Sequence, residues 1–310
     1  MEKLFGVLDV VLPVVVILLC GVAVRRKGIV SPEGMDQMKA LLVKICLPCL
    51  LFGTFYKMRF TGKEAAAFFL FSGTTLVSFL LGFAVCRLMK IEQRTAPWMC
   101  TTIEGGSIGY ALLMLLYGQD QLFHIGLLDA GNALIQWSLV ITMLSLSGGE
   151  KKTARETLKS LVTPMNIAIL LGLICSMTGI GPRIHESRAG KALSSVLDFM
   201  GTPVGALIML SVGYGLTFRE IRWKEILKTT AARILVFGAI GIGVCMLLQN
   251  IFPEDRMYFG AGLIFFICPP TYVYTMYTRN KEEEAYVSGF LAFYTLLTIA
   301  AFAVVAAVLV

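Results

Sequence analysis

Residues 101–110 read TTIEGGSIGY and residues 265–274 read FFICPPTYVY. The first stretch sets a carboxyl, Glu104, directly before Gly105, Gly106 and Ser107. The second sets Cys268, Pro269, Pro270 and Thr271 inside a run that is otherwise apolar. Proline removes a helical hydrogen bond and clashes with the preceding turn, at about 3 kcal/mol or more, and glycine is a poor helix former. Each stretch therefore breaks a helix. A break frees backbone N–H and C=O groups that lipid cannot satisfy, so they must face protein or a water-filled cavity. The half-helix after each break turns its N-terminal dipole toward that cavity and favours an anion there. The chemistry these residues allow is reversible binding of a small polar solute. The bland alternative is a pair of packing kinks.

Glu104 is the sharpest candidate. A carboxyl in a dry site can titrate near neutral pH, and acidic residues inside membranes commonly relay protons. The reading is that Glu104 couples solute movement to a proton; the alternative is a structural plug bonded to the freed backbone. Asp129, Asn132 and Gln136 recur at i, i+3 and i+7 and share one helical face. They either line a cavity or brace a broken helix. Lys44 either adds positive charge to an anion site or snorkels to the interface. Gly201 and Gly205 fit a small-xxx-small packing face, with Asp198 near an outer membrane face. Residues 105–109, GGSIG, also match the G-x-S-x-G nucleophile elbow with Ser107 as nucleophile. That chemistry needs a base, and the two histidines, His124 and His185, are not placed deep in a span. No enzyme is expected.

The elements that must position these residues are membrane helices. The chain of 310 residues is 57% hydrophobic and 15% charged, with a mean hydropathy of +0.78. Apolar blocks of about 20 residues recur, the length a helix needs to cross the hydrocarbon core. The fold class is an all-α membrane protein of ten transmembrane helices, at about 5–24, 37–56, 65–89, 95–117, 122–146, 163–181, 192–216, 229–251, 257–278 and 285–309. The first is not a cleaved signal, because its basic cluster Arg25-Arg26-Lys27 follows the apolar run. The net charge of +7 is explained by basic loops and does not require nucleic acid. The eight cysteines show no metal-ligand spacing. No P-loop or other cofactor motif is present, so energy must come from a gradient.

The loops after spans 1, 3, 5, 7 and 9 carry the larger share of Lys and Arg and should be cytoplasmic, which puts both termini on the other side. The polar stretch 147–162 reads as a linker between a first half, 1–146, and a second half, 163–310. Pro13 and Pro164, Gly21 and Gly172, Gly28 and Gly179, and Ile29 and Ile180 match at one constant offset, and Pro48 aligns with Pro203. Five spans per half is an odd number, so the halves must be inverted repeats, as in many secondary transporters. Spans 4 and 9, one in each half, then carry the two breaks, and paired interrupted helices point to a transporter's binding site.

The stretches LPVVVILLCGVAVRRKGIVS, CLPCLLFG, IEGGSIGYALLMLLYGQDQLFHIGLLDAGNAL and TPVGALIMLSVGYGL followed by RILV resemble the auxin efflux carrier family of membrane transporters over essentially the whole chain. The resemblance implies broken helices 4 and 9 that cross, a scaffold of helices 1, 2, 6 and 7, and a moving transport domain of helices 3–5 and 8–10. It implies export of a small organic anion such as a carboxylate, and a homodimer contact near helices 2 and 7. Asp129 and Asn132 match the family's span 5. Glu104 stands where the family usually carries Asn, and Ala111 where it carries proline, which opens the alternatives of a cationic or zwitterionic solute. A transporter-like ligand sensor is a further alternative. The expected binding residues are Glu104, Gly105, Gly106, Ser107, Asp129, Asn132, Cys268, Pro269, Pro270 and Thr271. With no targeting segment or tail, the expected location is a cell (inner) membrane.

Overall fold

Caps and prolines set where the helices begin. The computed structural model describes residues 2–57, 61–147, 163–216 and 223–309, which are helical with short connections. α1 spans Glu2–Arg26, with Pro13 inside it. α2 spans Pro32–Tyr56 and contains a π-helical turn at Leu42–Cys46. Ser31 caps it by accepting from the Gly34 N–H at 3.1 Å. α3 spans Gly62–Leu88 behind a reciprocal capping box of Thr61 and Glu64. α4, Ala96–Met99, and α5, Tyr110–Tyr117, are separated by an irregular stretch and a π-turn at Gly105–Gly109. α6 covers Leu122–Ile135 and continues through a π-turn into α7, Ile141–Ser147.

In the second half α8 spans Pro164–Met177, with Thr163 as its N-cap and proline in its first turn. α9 covers Ile180–Glu186, α10 Arg188–Gly201 and α11 Val204–Gly215. α12, Trp223–Ile251, and α14, Lys281–Leu309, are each 29 residues long. Between them α13 covers Arg256–Ile267 and stops at Cys268-Pro269-Pro270, and a 3₁₀ segment follows at Tyr272–Tyr277. Both breaks thus fall where the proline and glycine pairs put them. The expected linker 147–162 lies outside the described residues beyond Ser147.

Among the described residues seven helices are long and apolar enough to cross a membrane, eight if the bent pair α8–α9 counts as one. The other two expected segments fall on α1, 25 residues long, and on the broken stretch 96–117, neither of which is among those helices. The span expected at 163–181 ends earlier, at Met177, and the chain turns by 86° into α9. Gly179 makes that turn with φ +69, and Gly28 ends α1 in the same left-handed region with φ +64. Large apolar side chains such as Leu80, Ile242, Val304 and Val308 are exposed on the outer helix faces. A lipid-facing surface has that character.

α1 packs against α11, and α8 against α2. A Cβ at Gly21 would run into the main chain of Leu210 and Tyr214, and one at Gly172 into Phe55 and Tyr56. Gly21 and Gly172, one pair of the constant offset, therefore each stand at a close helix crossing. Gly201 packs on Leu50 and Gly205 against Met114, so both serve contacts within the chain. The main core joins α3, α6 and α13, with Phe71 and Phe265 edge to face at 5.2 Å. At the end of the 3₁₀ segment, Arg94 donates to the Tyr277 carbonyl at 2.7 Å and to Glu283 at 2.9 Å, fixing the second break to the α3–α4 connection.

Candidate functional site

The two breaks touch. The Glu104 N–H donates to the Pro269 carbonyl at 2.8 Å. In return the Tyr272 N–H donates to Glu104 Oε2 at 3.3 Å. One residue of the first break thus bonds the second on both sides of Pro270.

The freed carbonyls have identifiable partners. In the first break, Ile103 O accepts from Asn132 Nδ2 at 3.1 Å, and Trp98 O in α4 accepts from the Tyr274 hydroxyl at 2.7 Å in addition to the Thr101 N–H at 3.0 Å. In the second, Ile267 O accepts from Thr298 at 2.7 Å. Arg233, on α12, serves both: its guanidinium donates to Met99 O, to Thr102 O at 2.8 Å and to Cys268 O at 3.0 Å. Buried carbonyls need such donors, since lipid supplies none. The crossing is therefore closed by side chains from α6, α12 and α14 together.

Asp129 and Asn132 occupy the face the spacing predicts. Asn132 accepts from Thr75 at 3.0 Å through its Oδ1, and its Nδ2 donates to Gln136 at 3.3 Å as well as to Ile103 O. Asp129 accepts from the Tyr110 hydroxyl at 3.1 Å. Its carboxylate lies against the glycine pair: a Cβ on Gly105 would come within 2.6 Å of Oδ1 and one on Gly106 within 2.9 Å of Oδ2. Asn132 braces the first break, while Asp129 faces the backbone that the glycines leave bare. Thr271 caps the 3₁₀ segment, its hydroxyl 3.5 Å from the Val273 N–H. The Cys268 thiol points back to Ile264 O at 3.1 Å. The Ser107 side chain lies outside the described residues.

Two cavities meet at the crossing. A volume of about 230 Å³ is lined by Glu104, Gly106, Asp129, Asn132, Gln136 and Thr271 among others. A larger one, about 420 Å³, is lined by the hydroxyl residues Ser211, Tyr272, Thr275, Ser288 and Thr295, together with Lys39 and Glu104. Glu104, Tyr272, Leu42, Val43 and Ile208 belong to both. The opposite wall comes from α2 and α11, so the space lies between those helices and the broken segments. Of the expected residues, Glu104, Gly106, Asp129, Asn132 and Thr271 line it; Gly105, Cys268, Pro269 and Pro270 shape the backbone behind it. Lys44 is exposed and lines neither cavity.

Sequence reasoning missed Arg233, Lys39 and the hydroxyl wall. An arginine within an apolar span was a signal for the first. The serine hydrolase alternative finds no support in the histidines. His124 bonds Gln121 O and Asp255, both at 2.9 Å, and His185 bonds Tyr56 and Ser194. Among the described residues no cluster of His, Cys, Asp or Glu is placed to hold a metal ion.

Long apolar helices, two interrupted segments joined at their breaks and a largely apolar cavity beside them that carries Glu104 and several hydroxyls fit a membrane transporter. The family of membrane transport proteins, to which the auxin efflux carriers belong, matches residues 7–305, and the chain belongs to that family. None of the curated proteins compared matches the chain.

Proposed function

We propose that the protein is a secondary transporter that moves a small organic anion such as a carboxylate by alternating access, coupled to a proton on Glu104. The observation that carries this reading is the position of Glu104. It joins the two breaks through its backbone and lines both cavities with its residue. A proton there alters the charge of the binding space and the bond to Tyr272 together. Asp129 and Asn132 line the same space; Gly105, Gly106, Pro269 and Pro270 set the course of the backbone that borders it.

The architecture proposed is ten spans in two inverted halves, 1–146 and 163–310. Helices 1, 2, 6 and 7 form the scaffold; helices 3–5 and 8–10 form the moving domain. The close crossings at Gly21 and Gly172 and the equivalent turns at Gly28 and Gly179 support it. The cavity wall supports the division of labour, since α2 and α11 belong to the proposed scaffold.

One observation favours a second reading. Lys39 and Glu104 line the same cavity, one basic and one acidic, together with several hydroxyl residues. That pairing suits a zwitterion that carries a carboxylate and an ammonium group.

A thermal-shift screen of the purified protein against small carboxylates, amino acids and amines at two pH values tests both. A ligand of the folded state stabilises it by about 2.7 kcal/mol at a hundred times its Kd. Stabilisation by a carboxylate, pH-dependent in the wild type and pH-independent in Glu104→Gln, is the expected result. Flux of the same ligand into vesicles must follow. A ligand that binds without being moved would make the protein a sensor instead.

A further inference from the structure

Arg233 has 0% exposure, yet it lies one turn and more inside a helix that is apolar over most of its length. A charge in that setting is costly unless its surroundings compensate it. Three main-chain carbonyls accept from it, Met99 O and Thr102 O from the first break and Cys268 O from the second, and the Tyr294 hydroxyl is a further side-chain partner. Its face is covered by Phe237, with the guanidinium carbon 4.3 Å from the ring centroid, and by Tyr294 at 5.0 Å. Nε has no hydrogen-bond partner among the described residues. The group is held as a cation is held, by oxygen dipoles converging on it and aromatic faces around it.

Carbonyl oxygens freed from two helices and pointed at one place are a cation site. We propose that the Arg233 side chain is a resident cation: it fills a carbonyl-lined site at the crossing that a free monovalent cation would otherwise have to occupy. The positive charge is then permanent and tethered to α12. It neutralises the ends of both broken segments whether or not any ion is bound. The consequence for the cycle is that no Na⁺ is needed to assemble the crossing. This consequence for coupling rests on the transporter reading above; occupancy of the site by the guanidinium does not.

The test measures thermal unfolding of the full chain in detergent, in choline, sodium and methylguanidinium chlorides at equal low ionic strength. Wild type, Arg233→Ala, Arg233→Lys and Arg233→Met are compared, each referred to the wild type in the same salt. The wild type should unfold at one temperature in choline and sodium. Removing a buried charge whose partners stay behind should lower the Tm of Arg233→Ala by about 5–10 °C in choline, with recovery in sodium or methylguanidinium. Arg233→Lys should retain more stability than Arg233→Met, because an ammonium serves the same carbonyls and a thioether does not. Arg233→Ala that folds and responds to neither cation overturns the proposal. So does Arg233→Met that equals or exceeds Arg233→Lys, which decides the matter if the alanine variant does not fold. In vesicles, Arg233→Ala should gain a dependence on sodium that the wild type lacks. Absence of any flux in the wild type would sink the transporter reading and leave the stability result standing.

Discussion

The Glu104 N–H and the Pro269 carbonyl are hydrogen-bonded at 2.8 Å, and this bond makes one body of two helices that are each broken. α4 and α5 on one side, and α13 and the 3₁₀ segment on the other, cannot slide past one another without losing it. Arg233 reinforces the union by bonding carbonyls of both breaks. The crossing is thus held by bonds from both breaks, and the cavity lies between it and α2 and α11; under the proposed alternating access, relative movement there would open or close the site.

Asn132 tests the bracing of the first break. Its Nδ2 donates to Ile103 O, while Thr75 donates to its Oδ1. Asn132→Asp keeps the acceptor and removes the donor, so it leaves Ile103 O without that partner. Hydrogen bonds between membrane helices contribute about 1–2 kcal/mol at most, and stranding a buried carbonyl adds to the loss. Asn132→Asp should therefore lower Tm by more than Thr75→Val does. Equal effects, read by thermal unfolding in detergent, would show that the bond to Ile103 contributes nothing special.

Gly105 tests the close approach of Asp129 and Phe265. A Cβ there meets the Phe265 ring and Asp129 Oδ1. Gly105→Ala should destabilise the protein by about 1–3 kcal/mol through overpacking and abolish ligand-induced stabilisation. Gly73, inside α3, has open space around its Cβ position. Gly73→Ala is the matched control, expected to be neutral or to stabilise by up to about 1 kcal/mol. A Gly105→Ala protein as stable as the control and still responsive to ligand would contradict the packing argument.

The breaks were legible because their cause is local. Proline and glycine act on their own turn, so Gly105-Gly106 and Pro269-Pro270 announce themselves without any tertiary information. The shared face of Asp129, Asn132 and Gln136 was legible from helical spacing alone. What those residues touch was not. Arg233, almost three turns into α12, was a signal as a charge within an apolar span, but only the folding of α12 against both breaks gives it carbonyl partners. Lys39 and Ser288 carry no local signature either, since their common cavity is made by helices distant in sequence. The end of the sixth span was misjudged for a related reason: Ile180 and Gly181 are compatible with a continuing helix, and the bend comes from the backbone that Gly179 adopts.

Gly28 and Gly179 give a prediction about those turns. Both sit at positive φ with nothing near their Cβ positions, so the cost of a side chain there is conformational and not steric. Gly28→Ala and Gly179→Ala should each destabilise by about 1 kcal/mol, the cost of left-handed backbone for an L-residue. Asn at either position should cost less than Ala, because Asn tolerates that region. The order Gly, Asn, Ala in thermal stability at both sites is the expected result; the same order at only one would mean that the two turns are not equivalent.

Lys39 and Glu104 give a prediction about what the cavity takes. They line one volume together with several hydroxyl residues. Lys39 is partly exposed and its ion pair with Asp36 is long, at 3.8 Å, so it is free to serve a ligand at little cost to stability. Lys39→Gln should leave Tm unchanged without ligand and weaken binding of a carboxylate by about tenfold, the equivalent of one charge-assisted hydrogen bond of roughly 1.5 kcal/mol. If the solute is an anion carried with a proton, Glu104→Gln should preserve its binding and remove the pH dependence. If the solute is a zwitterion, Glu104→Gln should instead abolish binding of the amino acid while a simple carboxylate of the same length still binds. Binding measured by thermal shift at two pH values for the two single variants and the double variant separates these outcomes. A carboxylate that binds Lys39→Gln as well as it binds the wild type would remove Lys39 from the site under either reading.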